Sequence, residues 1–220
     1  MSSIAERLAE IRNGIPATTQ LVAVSKYFPV DAISEAYTAG QRVFGESRAQ
    51  ELKEKYSLLP KDIEWHFIGH LQPNKVKYIA PFISLIHAVD SYKLLQEINK
   101  QAIKHERTID CLLQLHVACE ETKFGYSPQE CLDMLSEGEW KNLSNIKIRG
   151  VMCMASNVED ETQILNEFRK AHNFFLEVKS KFFSTCQDFN ICSWGMSDDY
   201  HLAIQEGSNM IRIGSKIFKS

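Results

Sequence analysis

Eight short apolar runs, rich in β-branched residues and separated by longer stretches of helical periodicity, constrain this chain more than any other feature. They are Leu21 to Ser25, Arg42 to Gly45, Trp65 to Gly69, Leu85 to Val89, Cys111 to Val117, Lys147 to Met154, Phe189 to Trp194 and Met210 to Gly214. Parallel strands need a crossover of a dozen or more residues, and a helix is the usual one. The alternation therefore predicts βα units and a parallel sheet. One intervening stretch places Ile164, Phe168, Ala171, Phe175, Val178 and Phe182 at three- or four-residue spacing, an apolar stripe for packing on that sheet. An extra helix, Ile4 to Ile11, precedes the first run and is expected to lie across one end of the assembly.

Eight units in 220 residues, with 44% hydrophobic and 24% charged content, predict closure into a single (β/α)8 barrel of the TIM type spanning residues 1–220 as one domain. An open doubly wound sheet is the competitor. It would place a G-x-G-x-x-G phosphate loop after the first strand, where this chain has Ser25-Lys26-Tyr27-Phe28-Pro29.

Charge and composition narrow the partner. A net charge of -3 with no basic cluster speaks against nucleic acid. No run of about 18 apolar residues indicates a membrane span, and residues 1–14 alternate charged and apolar positions unlike a secretion signal. Cysteines 111, 119, 131, 153, 186 and 192 form no C-x-x-C pair and are expected to be reduced thiols in a cytoplasmic protein. A small-molecule ligand and a monomeric state are the expectation. His66 and His70 do not make a zinc site, because four residues along a strand span about 13 Å.

In such a barrel the carboxyl ends of the strands share one face, so residues just past each run become neighbours. That rim reads Lys26, Glu46 with Ser47, His70, Asp90, Lys123, Met154, Ser197, and Arg212 with Gly214 and Ser215. Val22, Val24 and Lys26 share one side of the first strand; if the valines face inward, so does the amine. A lysine desolvated there has a lowered pKa and can condense with an aldehyde. Ser197 stands where a helix is expected to begin, so its hydroxyl and the following N–H groups could hold an anion, or simply cap the helix. Gly214 lets backbone approach a ligand closely. Arg212 lies between Ile211 and Ile213, facing either solvent or the interior; in the interior it needs an acceptor, for which a cofactor ring nitrogen is suited. Cys119 falls near the rim as a partly buried, passive thiol or an oxidation-sensitive one.

The segments LVAVSKYFP, FGESRAQE, WHFIGHLQPNK, KFGYSP and GMSDDYHLAIQEGSNMIRIGSKIF together resemble the pyridoxal-phosphate homeostasis protein family, nearly end to end. The resemblance implies an alanine-racemase-type barrel with pyridoxal 5'-phosphate (PLP) carried on Lys26 as an internal aldimine. It implies a cofactor site of Lys26, Ser47, Met196, Ser197, Arg212, Gly214 and Ser215. The phosphate would rest on Ser197, Gly214 and Ser215, and Arg212 would face the pyridine nitrogen or the phosphate edge. Ser47 stands where relatives usually have asparagine. A cation beside the ring nitrogen discourages its protonation and weakens the ring as an electron sink. No segment remains for the second β domain that brings a tyrosine to racemases. The expected function is therefore a non-catalytic carrier that stores, buffers or delivers PLP, with apo PLP-dependent enzymes as possible recipients. A racemase or weak transaminase is the alternative, and a cofactor-free lysine aldolase the third reading.

Overall fold

The structure, a computed structural model, describes residues 2–119 and 124–219. The strands β1 (Gln20–Val24), β2 (Val43–Glu46), β3 (Glu64–Phe67), β4 (Leu85–Val89), β5 (Ile109–His116), β6 (Ile146–Met154), β7 (Ile191–Ser193) and β8 (Met210–Ile213) pair in chain order. All pairings are parallel, and β8 returns to β1, closing the barrel that the strand-helix alternation predicts.

Strand periodicity sorts the core into two layers. Leu21, Ala23, Phe44, Trp65 and Ile86 face outward into one cluster with the helices, whereas Val22, Val43, Leu85, Leu112, Met152 and Met210 fill the barrel interior. The helices supply the outer layer: α2 (Val30–Thr38), α3 (Ala49–Leu58), α4 (Val76–Ile79), α5 (Tyr92–Lys104), α6 (Pro128–Glu137), α7 (Glu161–Phe182) and α8 (Tyr200–Gln205), with a last turn α9 (Ser215–Phe218). On α7 the stripe from Ile164 to Val178 is buried as its spacing requires, while Phe182 is only half-buried. Each Ile, Phe or Val of the stripe contributes about 1.5–3 kcal/mol on burial.

Three departures have physical causes. The N-terminal helix, α1 (Ile4–Asn13), packs in the outer ring against α2 and α9 instead of lying across an end. Its buried face is Ile4, Leu8 and Ile11, and Arg7 Nε donates to the Ile217 carbonyl at 2.7 Å. β3 ends at Phe67 because Ile68 and Gly69 turn into the wall of a cavity. Phe189 lies outside β7, its ring stacked 4.2 Å from Phe183 and 5.1 Å from Phe175. Among the described residues no helix is long and apolar enough to cross a membrane.

Candidate functional site

A cavity of about 820 Å³ opens where the carboxyl ends of the strands converge. Its wall contains every residue expected at a cofactor site: Lys26, Ser47, Met196, Ser197, Arg212, Gly214 and Ser215. They come from the ends of β1, β2, β7 and β8, so only barrel closure makes them neighbours.

Lys26 lies two residues beyond the end of β1, half-buried, on the same side as Val22 of the interior cluster and Val24 of the cavity wall. Among the described residues its amine has no hydrogen-bond or ion-pair partner. Lys55, the other lysine nearby, shows the opposite state. Its Nζ donates to the Ser25 carbonyl at 2.9 Å and to Glu46 Oε1 and Glu51 Oε1 at 2.7 Å each. Lys55 is spent on structure, whereas Lys26 keeps its amine on the cavity wall. The network also shapes the Lys26 turn, since Glu51 Oε1 accepts the N–H of Tyr27, held at a left-handed φ of 69°. Glu46 is therefore not a rim residue: its side chain turns away from the cavity to Lys55 and to Ser25 Oγ at 2.6 Å. Burial raises its carboxyl above the ordinary range.

Arg212 is 3% exposed and faces the interior, which removes the reading as a solvent-facing arginine. Protein groups supply the acceptors left open by the sequence: the Ser193 carbonyl at 2.7 Å, Ser193 Oγ at 2.6 Å and the Cys153 carbonyl at 2.9 Å. Ser193 Oγ lies 3.0 Å from His87 Nδ1, and His87 Nε2 lies 3.0 Å from His66 Nδ1. A guanidinium can only donate, so Ser193 Oγ accepts from Arg212. When the hydroxyl gives its own hydrogen to His87 Nδ1, the proton of neutral His87 stands on Nε2, between the two rings. Burial favours the neutral form of both rings, taking His66 down to about 3 and His87 well below its usual value, the latter aided by His66 and Arg212. Among the described residues the hydrogen-bond partners of Arg212 are all neutral. The cavity floor thus carries a buried cation that an anionic ligand would balance.

Ser197 and Gly214 bring the ends of β7 and β8 together, Ser197 Oγ accepting from the Gly214 N–H at 3.4 Å. Ser197 is not the helix cap considered from sequence. Helix α8 begins at Tyr200 after Asp199, and Asp199 Oδ1 accepts the N–H of Met196 at 2.6 Å. The bareness of Gly214 is demanded by packing as well as by any ligand, because a Cβ there would meet the Val24 carbonyl oxygen at 2.9 Å. Ser215 and Met196 stand exposed at the mouth.

Sequence reading missed Gln114, His87 and Ser193. Gln114 lines the cavity and donates to the Phe124 carbonyl at 2.8 Å. Alternation could have found all three: Gln114 follows Leu112, His87 follows Leu85 and Ser193 follows Ile191 by two residues, and each leader packs with the interior cluster. Met154 and His70 line the cavity as expected, whereas Asp90 stands behind His70. Lys123 lies outside the described residues. Cys119 is exposed, with Sγ 3.7 Å from Glu167 Oε1.

A family described as alanine racemase, N-terminal domain, matches residues 1–220. Pyridoxal phosphate homeostasis proteins of Helicobacter pylori strain J99 and Schizosaccharomyces pombe are 37% and 36% identical, over 97% and 100% of this chain and 91% and 94% of theirs. The chain belongs to the pyridoxal phosphate homeostasis protein family. PipY of Synechococcus elongatus, solved with PLP bound, superposes with a TM-score of 0.89 at 35% identity, covering 98% of this chain and 100% of PipY. Alanine racemase from Bartonella henselae, at 16% identity and a TM-score of 0.73, shares the fold over 99% of this chain and 58% of its own.

Proposed function

We propose that this protein binds PLP and serves its homeostasis as a carrier, holding the cofactor covalently through Lys26. The carrying observation is that an unpartnered amine, a buried cation and a serine–glycine anion cradle face one cavity. The residues fit the group: Lys26 for the aldehyde, Ser197, Gly214 and Ser215 for the phosphate, and Arg212 for the remaining negative charge, with Ser47 and Met196 on the wall. When bound, PLP supplies an aldehyde that condenses with a primary amine. The name of the curated relatives and the PLP-bound state of PipY support this reading.

A carrier is favoured over a racemase because Arg212 is held rigidly by three hydrogen bonds as a permanent cation at the cavity floor. A fixed positive charge there opposes protonation of a nearby ring nitrogen and so weakens carbanion chemistry. We read the whole chain as one binding unit, monomeric and cytoplasmic; its six free cysteines suit a reducing compartment, and apo PLP-dependent enzymes are the recipients. Following both enantiomers of alanine in the PLP-loaded protein tests the carrier. Interconversion should stay far below enzyme-like rates, and sustained turnover at about 1 per second or more would overturn it.

The phosphate cradle has its own test. Ser197→Ala should weaken PLP binding by about 1–3 kcal/mol, the range for losing a hydrogen bond to an anion, and leave unphosphorylated pyridoxal nearly unaffected. Equal loss for both ligands, measured by titration, would remove Ser197 from the phosphate.

A further inference from the structure

We propose that His70, oriented by Asp90, is the proton-transfer group that speeds both the joining of Lys26 to its aldehyde ligand and the release of that ligand by water. This rests on the reading of Lys26 as the holding amine, and adds what governs the rate.

The placement begins with Gly69. A Cβ there would lie 2.7 Å from both Cβ and the carbonyl oxygen of Ser47, so only glycine lets the loop after β3 lie this close to the loop after β2. That contact sets His70 on the cavity wall beside Ser47, in the same cavity as Lys26. His70 Nδ1 is 3.0 Å from Asp90 Oδ2. An ionised carboxylate only accepts, so Nδ1 carries a proton and the neutral ring has its lone pair on Nε2. The Phe124 ring, stacked on the imidazole at 3.8 Å and 13°, holds its plane. The Asp90 side chain is 14% exposed and that of His70 38%, so the orienting group is sheltered while the imidazole keeps contact with water.

The other ionisable groups on the wall suit the task less well. Arg212 does not give up its proton. Asp198 adjoins Ser197 at the anion cradle, Lys219 is exposed just past α9, and the Tyr27 ring is 66% exposed, with the Arg48 guanidinium 5.0 Å from its centre. Histidine is also the side chain best able to give and take a proton near neutrality.

The step balances without an oxidant or co-reactant. Neutral Lys26 Nζ forms a bond to the aldehyde carbon, the carbon–oxygen bond breaks, and the oxygen leaves as water with the two protons lost by nitrogen. His70 Nε2 takes a proton from nitrogen and returns one to the departing oxygen. Release runs the same steps backwards, with His70 drawing a proton from the entering water. A lysine alone cannot be nucleophile, base and acid in turn.

Stopped-flow absorbance on the full chain mixed with PLP gives the loading rate, and a phosphatase that destroys free PLP gives the release rate. His70→Gln should slow both by about 10²-fold, the lower range for general acid–base catalysis, while their ratio, and hence affinity, stays within about twofold. Asp90→Asn should slow both by a smaller factor, and added imidazole should restore the His70→Gln rates. Rates within about twofold of the unsubstituted protein in both variants would overturn the proposal. So would faster release with weakened affinity, which marks a binding contact. If the unsubstituted protein gives no absorbance change with PLP, the Lys26 reading fails first and this proposal with it.

Discussion

Lys26→Ala is expected to abolish covalent retention of PLP while leaving the barrel folded. The residue is half-buried, lies outside β1 and its amine has no hydrogen-bond or ion-pair partner among the described residues, so its removal exposes no buried polar group and opens no core cavity. The stability cost should stay within about 0.5 kcal/mol, as for surface substitutions away from special features. Borohydride reduction of the PLP-treated protein followed by peptide mass spectrometry reads the outcome directly. The unsubstituted protein should carry the label on the peptide containing Lys26, and the variant none. A label persisting on the variant would move the attachment elsewhere. Lys55 is a poor candidate, because three hydrogen bonds, two of them to carboxylates, already occupy its amine.

Gly150→Ala should be the most damaging small change in the barrel. Gly150 pairs with Ile191 across β6 and β7 and adopts a φ of 155°. A Cβ added there would sit 1.9 Å from the Ile191 carbonyl oxygen and 2.7 Å from its carbonyl carbon, a clash with backbone that no rotamer change can relieve. The strands would have to separate by about 1.5 Å to reach ordinary contact, breaking ladder hydrogen bonds as they do. Combined strain and overpacking predict a loss of about 3 kcal/mol or more, measurable as a lower urea midpoint. The Arg212 anchors, Cys153 on β6 and Ser193 on β7, flank this junction, so PLP affinity should fall with stability. By contrast, Gly138 closes α6 with a φ of 76°, and a Cβ there would meet only the Ser136 carbonyl at 3.9 Å. An alanine at that position should cost about 1 kcal/mol. Comparable midpoints for the two variants would contradict the steric account of the β6–β7 junction.

Much of the rim was readable from residues that follow an apolar run, because barrel closure puts such positions at one end. Lys26, Ser47, His70, Ser197, Arg212, Gly214 and Ser215 were found that way and share the cavity wall. Glu46 was misplaced by the same rule. It occupies the correct level but the opposite side of its strand, where Lys55 of α3 meets it. Position along a strand gives height; side-chain direction also depends on register.

Alternation of apolar runs and amphipathic helices was enough to specify a closed parallel barrel, since strand period, helix period and crossover length are local properties of the chain. The partners of the site residues are not local. Ser193 and Cys153 reach Arg212 from 19 and 59 residues away, and His87 meets Ser193 across 106. Ser197 sits beside Gly214 only because the barrel closes. Tertiary structure alone decided which lysine would be spent on ion pairs and which would be left free, because desolvation and charge pairing depend on what folding brings within a few ångströms.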